Sequence, residues 1–183
     1  MRNTVIWISL MLVVPHTAIA APPKELYGKS VTVSWGETRE QKWPGETNWH
    51  QVTRAGQLIV YVSSAGRAFN RMTFSGSGPG GRKGSGNSDQ VAGAGGDKYE
   101  NRALNFQSRS LSMITPMSGG ARSVNITFSE GFAGCSASVL TGKSGTGKIV
   151  MRSLLHQGQE FEIRSVQSGA ASCSISNGNL FGG

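Results

Sequence analysis

The chain has 183 residues, with 26 Gly, 18 Lys and Arg against 10 Asp and Glu, and a formal net charge of +8. Gly and Ser are heavily used while Leu, Glu and Lys are sparse, a mix that argues against a helical bundle and for many short strands joined by turns. The positive surplus predicts weak attraction to anionic surfaces such as lipopolysaccharide, acidic polysaccharide or nucleic acid, without choosing among them.

Residues 1–20 read as a secretory signal peptide. Met1-Arg2-Asn3 carries one positive charge, residues 5–14 are an almost unbroken apolar run, Pro15 breaks it, and Ala18-Ile19-Ala20 matches the small-residue cleavage pattern. The apolar run is about ten residues against the roughly twenty that span a hydrocarbon core, so a membrane anchor is not expected. No second apolar stretch of spanning length follows, and no cysteine stands at the cleavage site to accept lipid. Export to the periplasm or beyond removes nucleotide and most nucleic acid from the expected partners. Cleavage takes only Arg2 among the charged residues, so residues 21–183 keep 17 basic against 10 acidic side chains, enough chain for a single domain with a core.

In chain order, Val31-Thr-Val33-Ser-Trp35 alternates apolar and polar, with Ser30, Thr32 and Ser34 on the wet side. Leu58-Ile-Val60-Tyr-Val62 is apolar on both faces and predicts a more buried, central strand. Ser63-Ser64-Ala65-Gly66 supplies a turn, which makes residues 68–74 its expected hairpin partner. Further strands are predicted at 111–115, 123–128, 135–141, 148–154, 160–166 and 172–176, most of them separated by Gly-rich connections. No window shows an amphipathic helix. About eight or nine short strands at this spacing predict an all-β fold, an antiparallel β-sandwich, with a small β-barrel as the alternative.

Residues 75–96 break the rhythm with nine glycines, no aromatic residue and Val91 as the one larger aliphatic. So little apolar surface does not offset the entropy of ordering, and a flexible loop is expected. The functional alternative is that residues 76–86, carrying Arg82 and Lys83, fold around an anion through backbone N–H groups.

Cys135 and Cys173 are the two cysteines. Cys135-Ser-Ala137-Ser-Val139 and Cys173-Ser-Ile175 place each sulfur in phase with apolar neighbours, so both are expected to face the same interior. In an oxidising compartment the pair predicts a disulfide that staples facing sheets. No suitably spaced ligand set accompanies them, so neither a metal nor a cofactor is expected.

Two patterns point to chemistry and are better explained without it. Ala137-Ser-Val-Leu-Thr-Gly142-Lys143-Ser144 satisfies the loose phosphate-loop form, but that mechanism needs strand, loop and then helix. Here the predicted strand covers most of the motif and Gly145-Thr146-Gly147-Lys148-Ile149-Val150 reads as turn and strand, so a hairpin is expected and no nucleotide. Glu37, Glu40 and Glu46 cluster beside Arg39 and Lys42, which predicts solvated ion pairs rather than the paired carboxylates of a glycoside hydrolase. Glu160 and Glu162 alternate with Phe161 and Ile163 and are expected on one outer strand face. His50 and His156 are placed at the surface and in a turn, and no serine sits in a G-x-S-x-G elbow.

The stretch from 35 to 49 is the most suggestive remaining feature. Trp35, Trp43 and Trp49 are interleaved there with Arg39 and Lys42. Tryptophans can stack on sugar rings while nearby cations orient an acidic ligand, which makes Trp43, Trp49, Arg39 and Lys42 the candidate ligand-binding residues. The competing reading packs Trp35 into the core and the others onto the sheet edge.

Gly28-Lys-Ser-Val-Thr-Val-Ser-Trp35, Tyr61-Val-Ser-Ser-Ala-Gly-Arg67, Gln90-Val-Ala-Gly93 and the ending Ser172-Cys173-Ser-Ile-Ser-Asn-Gly178-Asn-Leu-Phe181-Gly-Gly resemble small exported β-rich proteins of rhizobia-like alphaproteobacteria. The resemblance spans most of the region after the leader and implies a bacterial exported β protein; it carries over no active site. The expectation is therefore a non-enzymatic, envelope-associated binding domain that recognises an anionic envelope or extracellular polysaccharide. A small polysaccharide hydrolase and a small outer-membrane barrel are the alternatives.

Overall fold

The computed structural model describes residues 21–43, 45–77, 83–87, 104–117, 120–143, 149–152 and 160–181. The expected leader at 1–20, Arg82, and the stretches 78–82 and 88–96 of the Gly-rich segment lie outside the described residues. Ten strands are seen: β1 (Lys29–Lys42), β2 (His50–Val62), β3 (Ala68–Ser77), β4 (Lys83–Asn87), β5 (Leu104–Gln107), β6 (Ser110–Met117), β7 (Gly120–Phe128), β8 (Cys135–Lys143), β9 (Ile149–Arg152) and β10 (Glu160–Asn177). They form a six-stranded sheet in the order β4-β3-β2-β1-β10-β9 and a four-stranded sheet in the order β5-β6-β7-β8. Every pairing is antiparallel, and the two sheets face each other as a sandwich without closing into a barrel.

The strict alternation of β1 sends Val31, Val33 and Trp35 into the space between the sheets. There they meet Leu58, Val60 and Val62 of β2, Leu111 and Met113 of β6, and Val124, Ile126 and Phe128 of β7. Leu26, in a 3-10 turn at Lys24–Leu26, and Phe132, in another at Glu130–Phe132, belong to the same core. The 58–62 segment is buried on both faces because the chain end folds over its outer side. Ile59 and Phe69 pack there against Phe181, with Tyr61 alongside. Ser30 Oγ donates to Gly178 O at 2.7 Å and accepts from Leu180 N–H, anchoring that return.

The β2–β3 hairpin turns where the sequence signals it. Gly66 N–H donates to Ser63 O, and Gly66 adopts φ +77°, a left-handed conformation that costs glycine little. The disulfide joins Cys135 on β8 to Cys173 on β10, across the two sheets, with Cα atoms 5.5 Å apart.

Four expectations need correction. Ser30, expected on the wet side, is 0% exposed, because the returning chain end at Gly178 and Leu180 covers it. Residues 160–166 and 172–176 are one strand, β10, because two bulges interrupt its phase rather than its course. Its register with β1 slips once between Trp35/Glu37 and again between Arg39/Glu40, the second at Ser165 with φ +46°. The Gly-rich segment is not loop throughout. Residues 75–77 end β3, and Lys83–Asn87 form β4 beside it, with Gly76 opposite Gly84 and Phe74 opposite Gly86. Finally, the first strand does not end at Trp35, where its clear alternation of apolar residues stops, but continues as β1 to Lys42, with β2 beginning at His50.

Candidate functional site

Beyond Trp35 the inward alternation of β1 continues with Glu37, Arg39 and Gln41. Glu37 is 2% exposed and Arg39 0% exposed, so these are not the solvated ion pairs the sequence suggests. Arg122 of β7, 2% exposed, reaches across from the other sheet, and its Nη2 donates to Glu37 Oε2 at 2.7 Å. Arg39 Nη1 donates to Glu37 Oε1 at 3.5 Å and its Nη2 to Gln41 Oε1 at 3.0 Å. Arg122 Nε also donates to Thr141 Oγ1. Aromatic faces complete the packing: Arg39 lies 4.9 Å from the Phe161 ring centre and Arg122 4.9 Å from that of Phe74. Arg54, opposite Glu37 in the register, is the third cation of this end. Burial, reinforced by Arg54, pulls the Arg39 guanidinium down to about 9, and burial likewise lowers Arg54. The pairing is too tight and too enclosed to be a binding surface. It is an electrostatic tie between the sheets.

The candidate ligand residues are thereby separated. Arg39 is interior. Trp43 packs edge-on against Phe161 at 5.1 Å between ring centres, closing the sandwich end. Lys42 and Trp49 come together on the outer face of the six-stranded sheet. Lys42 Nζ lies 5.2 Å and the Arg164 guanidinium 4.4 Å from the Trp49 ring centre. Each of these cations also has an acidic partner: Arg164 forks onto Glu40 at 3.1 and 3.2 Å, and Lys42 Nζ lies 3.7 Å from Glu162. The Arg164 and Ser165 hydrogen bonds hold the Glu40 carboxyl below the usual range. Lys83 stands opposite Ser77 in the register, and Ser77 opposite Thr53, toward the same end of the sheet. The competing reading of the tryptophans, packing, describes Trp35 and Trp43; Trp49 is held by cations rather than left bare.

A concavity on the outer face of the six-stranded sheet has no signal in the sequence. Along the outer face, side chains at the centre of the six-stranded sheet are small. Ser172, Ser34, Gln57 and Thr73 form one cross-strand row. Gly36, Ala55 and Ser75 form the next, beside Ala170 in the β10 bulge. Larger groups stand at both ends of this face. Arg71 and the Phe181 cluster are at one end, and Glu40, Arg164 and Trp49 at the other. The result is an open trough of about 730 Å³. Gln57 Nε2 donates to Ser34 Oγ at 3.4 Å, and Ser172 Oγ donates to Ser34 O at 3.4 Å. Trp35 lies beneath the floor, against Gly56, where a Cβ would overlap the indole. The lining holds no Asp, Glu, His, Lys or Arg.

Chemically, such a surface offers hydroxyl and amide groups that donate and accept, backbone brought close by Gly36, and no acid or base. Among the described residues, no three His, Cys, Asp or Glu side chains gather as metal ligands, and no helix is long and apolar enough to cross a membrane. The phosphate-loop pattern runs along β8 to Lys143, and the next described element is a strand, β9, not a helix. Compared with models of known families, with curated proteins and with solved structures, the chain matches none.

Proposed function

We propose that this protein is an exported, non-enzymatic binding domain that holds polysaccharide on the outer face of its six-stranded sheet, its net positive charge drawing it to acidic envelope or extracellular polymers. The carrying observation is the trough: an open surface that presents the hydroxyls of Ser34, Thr73, Ser75 and Ser172 and the Gln57 amide suits a polyhydroxylated chain. A cross-sheet disulfide accords with an oxidising compartment. Among the described residues, the engagement of Glu37, Glu40, Glu46 and Glu162 favours binding over hydrolysis. Glu37 engages Arg122, Glu40 engages Arg164, Glu46 Oε2 lies 3.2 Å from His50 Nε2, and Glu162 faces Lys42. None of these lines the trough.

The test is a polysaccharide and oligosaccharide array probed with the disulfide-bonded protein at low and high salt, read with intrinsic tryptophan fluorescence. Binding to one or more glycans, with capture by acidic polymers weakened by salt, is expected. A folded protein that binds no glycan at low salt overturns the proposal.

A further inference from the structure

The trough and the charges on the same face differ in what they have left to offer a ligand. The trough lining is wholly uncharged: Ser34, Gln57, Thr73, Ser75 and Ser172 present neutral polar groups around Gly36. Among the described side chains, three cations toward the ends of that face are already engaged. Arg164 is held bidentately by Glu40 and stacked on Trp49, Lys42 faces Glu162, and Arg71 Nη1 donates to Phe181 O. An acidic group arriving at the trough centre would meet hydroxyls and an amide and lose hydration without gaining a charged partner. A neutral sugar hydroxyl arriving there can both donate and accept.

We infer that the trough selects an uncharged stretch of glycan, and that the protein's positive charge acts in capture rather than in recognition. This rests on the polysaccharide-binding reading above and narrows its ligand. Recognition by neutral hydrogen bonds has a definite signature: affinity for a neutral oligosaccharide that hardly varies with salt, while capture of acidic polymers falls as salt rises.

Gly36 gives a clean way to block the site. A Cβ there meets nothing within 4 Å, and the residue does not have the left-handed φ that would strain a substitution. Gly36→Phe therefore fills the trough from its floor while leaving Trp49, Lys42 and Arg164 in place. Ser172→Phe, at an exposed position across the row, does the same from a neighbouring strand. The experiment is titration calorimetry with neutral oligosaccharides of graded length and with their carboxymethylated counterparts. Salt is varied from about 0.02 to 0.5 M, a range over which screening changes severalfold.

The expected result is at least one neutral oligosaccharide whose Kd changes less than about twofold across that range. That binding should weaken about tenfold or more in either Phe variant and persist in Trp49→Ala. Binding confined to the carboxymethylated forms and abolished by salt overturns the inference while leaving polysaccharide binding standing. Neutral binding unaffected by a folded Gly36→Phe or Ser172→Phe overturns the trough as its site. Absence of binding to either series, and to every glycan on the array, overturns both readings.

Discussion

Between the two sheets the interior changes character at Trp35. Toward the Leu26 end it is filled by Val31, Val33, Leu58, Val60, Leu111 and Ile126, with the Cys135–Cys173 bridge at its margin. Toward the Trp43 end the same β1 alternation delivers Glu37, Arg39 and Gln41 to meet Arg122 and Arg54. The apolar half is stabilised by area removed from water and needs only approximate shape to gain most of it. The charged half gains little from area and depends on geometry. Taking charges out of water costs several kcal/mol per ion, which a short Arg122–Glu37 contact, Gln41 and the Phe74 and Phe161 rings must offset. One half should tolerate change smoothly; the other should fail when a single partner is lost.

Substitutions can break that contrast. Glu37→Gln should be the most damaging, by roughly 4 kcal/mol in denaturant unfolding, because it leaves Arg39 and Arg122 buried around a neutral amide. Replacing Glu37, Arg39 and Arg122 together by Met should recover most of that loss; a triple variant as unstable as Glu37→Gln would show that shape rather than charge balance governs this end. Arg39 adds a pH signature. Its folded pKa of about 9 lies below the unfolded value, so the native state sheds this proton first and stability rises as pH climbs above about 9. That rise should be absent from the triple variant in alkaline unfolding curves.

Removing the disulfide by Cys135→Ala with Cys173→Ala should cost about 3–4 kcal/mol for a sequence separation of 38, seen as a lower Tm with a largely unchanged native spectrum. Leu58→Ala should cost about 3 kcal/mol, and Leu58→Met under about 1.5 kcal/mol. That graded response, set beside the all-or-none behaviour of Glu37, is the sharpest form of the comparison. The smallest effect belongs to the exposed pair. Glu40 titrates below the usual range because of Arg164 and then Ser165. Its contribution is present above the unfolded carboxylate pKa and is lost as pH falls through the lower folded value, so Glu40→Gln should flatten the acid limb of the stability curve slightly.

Much of this architecture was legible in the residues. Val31-Thr-Val33-Ser-Trp35 announced a half-buried strand, Ser63-Ser64-Ala65-Gly66 a hairpin, and the in-phase cysteines a staple between sheets. In the sequence β10 reads as two strands for a physical reason. Phe161 and Ile163 are in one phase, Val166 is in the other, and Ala171, Cys173 and Ile175 return to the first. Each bulge adds one residue against β1, so the side chains keep facing inward while the numbering parity flips. β4 carries no apolar signal, because in Lys-Gly-Ser-Gly-Asn an edge ladder is supplied by the backbone alone. Of the candidate site, the Lys42–Trp49 association was legible from proximity in sequence. Arg39 reads as solvent-facing in the sequence because a charged residue has no visible partner there, and its burial follows only from Glu37, Gln41 and the Phe161 ring around it.

What the sequence determined by itself is local: period-two alternation, turns where glycine permits them, two sulfurs in the apolar phase, and a net positive charge. These follow from sterics and from side chains two residues apart, and they suffice for an all-β sandwich. Tertiary structure alone decided that Glu37 is buried, since its closest cation, Arg122, comes from the opposite sheet 85 residues away. It also decided that Ser172, Ser34, Gln57 and Thr73 share one row across β10, β1, β2 and β3. A charge can be buried only when its partner arrives, and a trough exists only when small side chains from separate strands are brought side by side. Both are properties of strand order, which no local pattern in the chain contains.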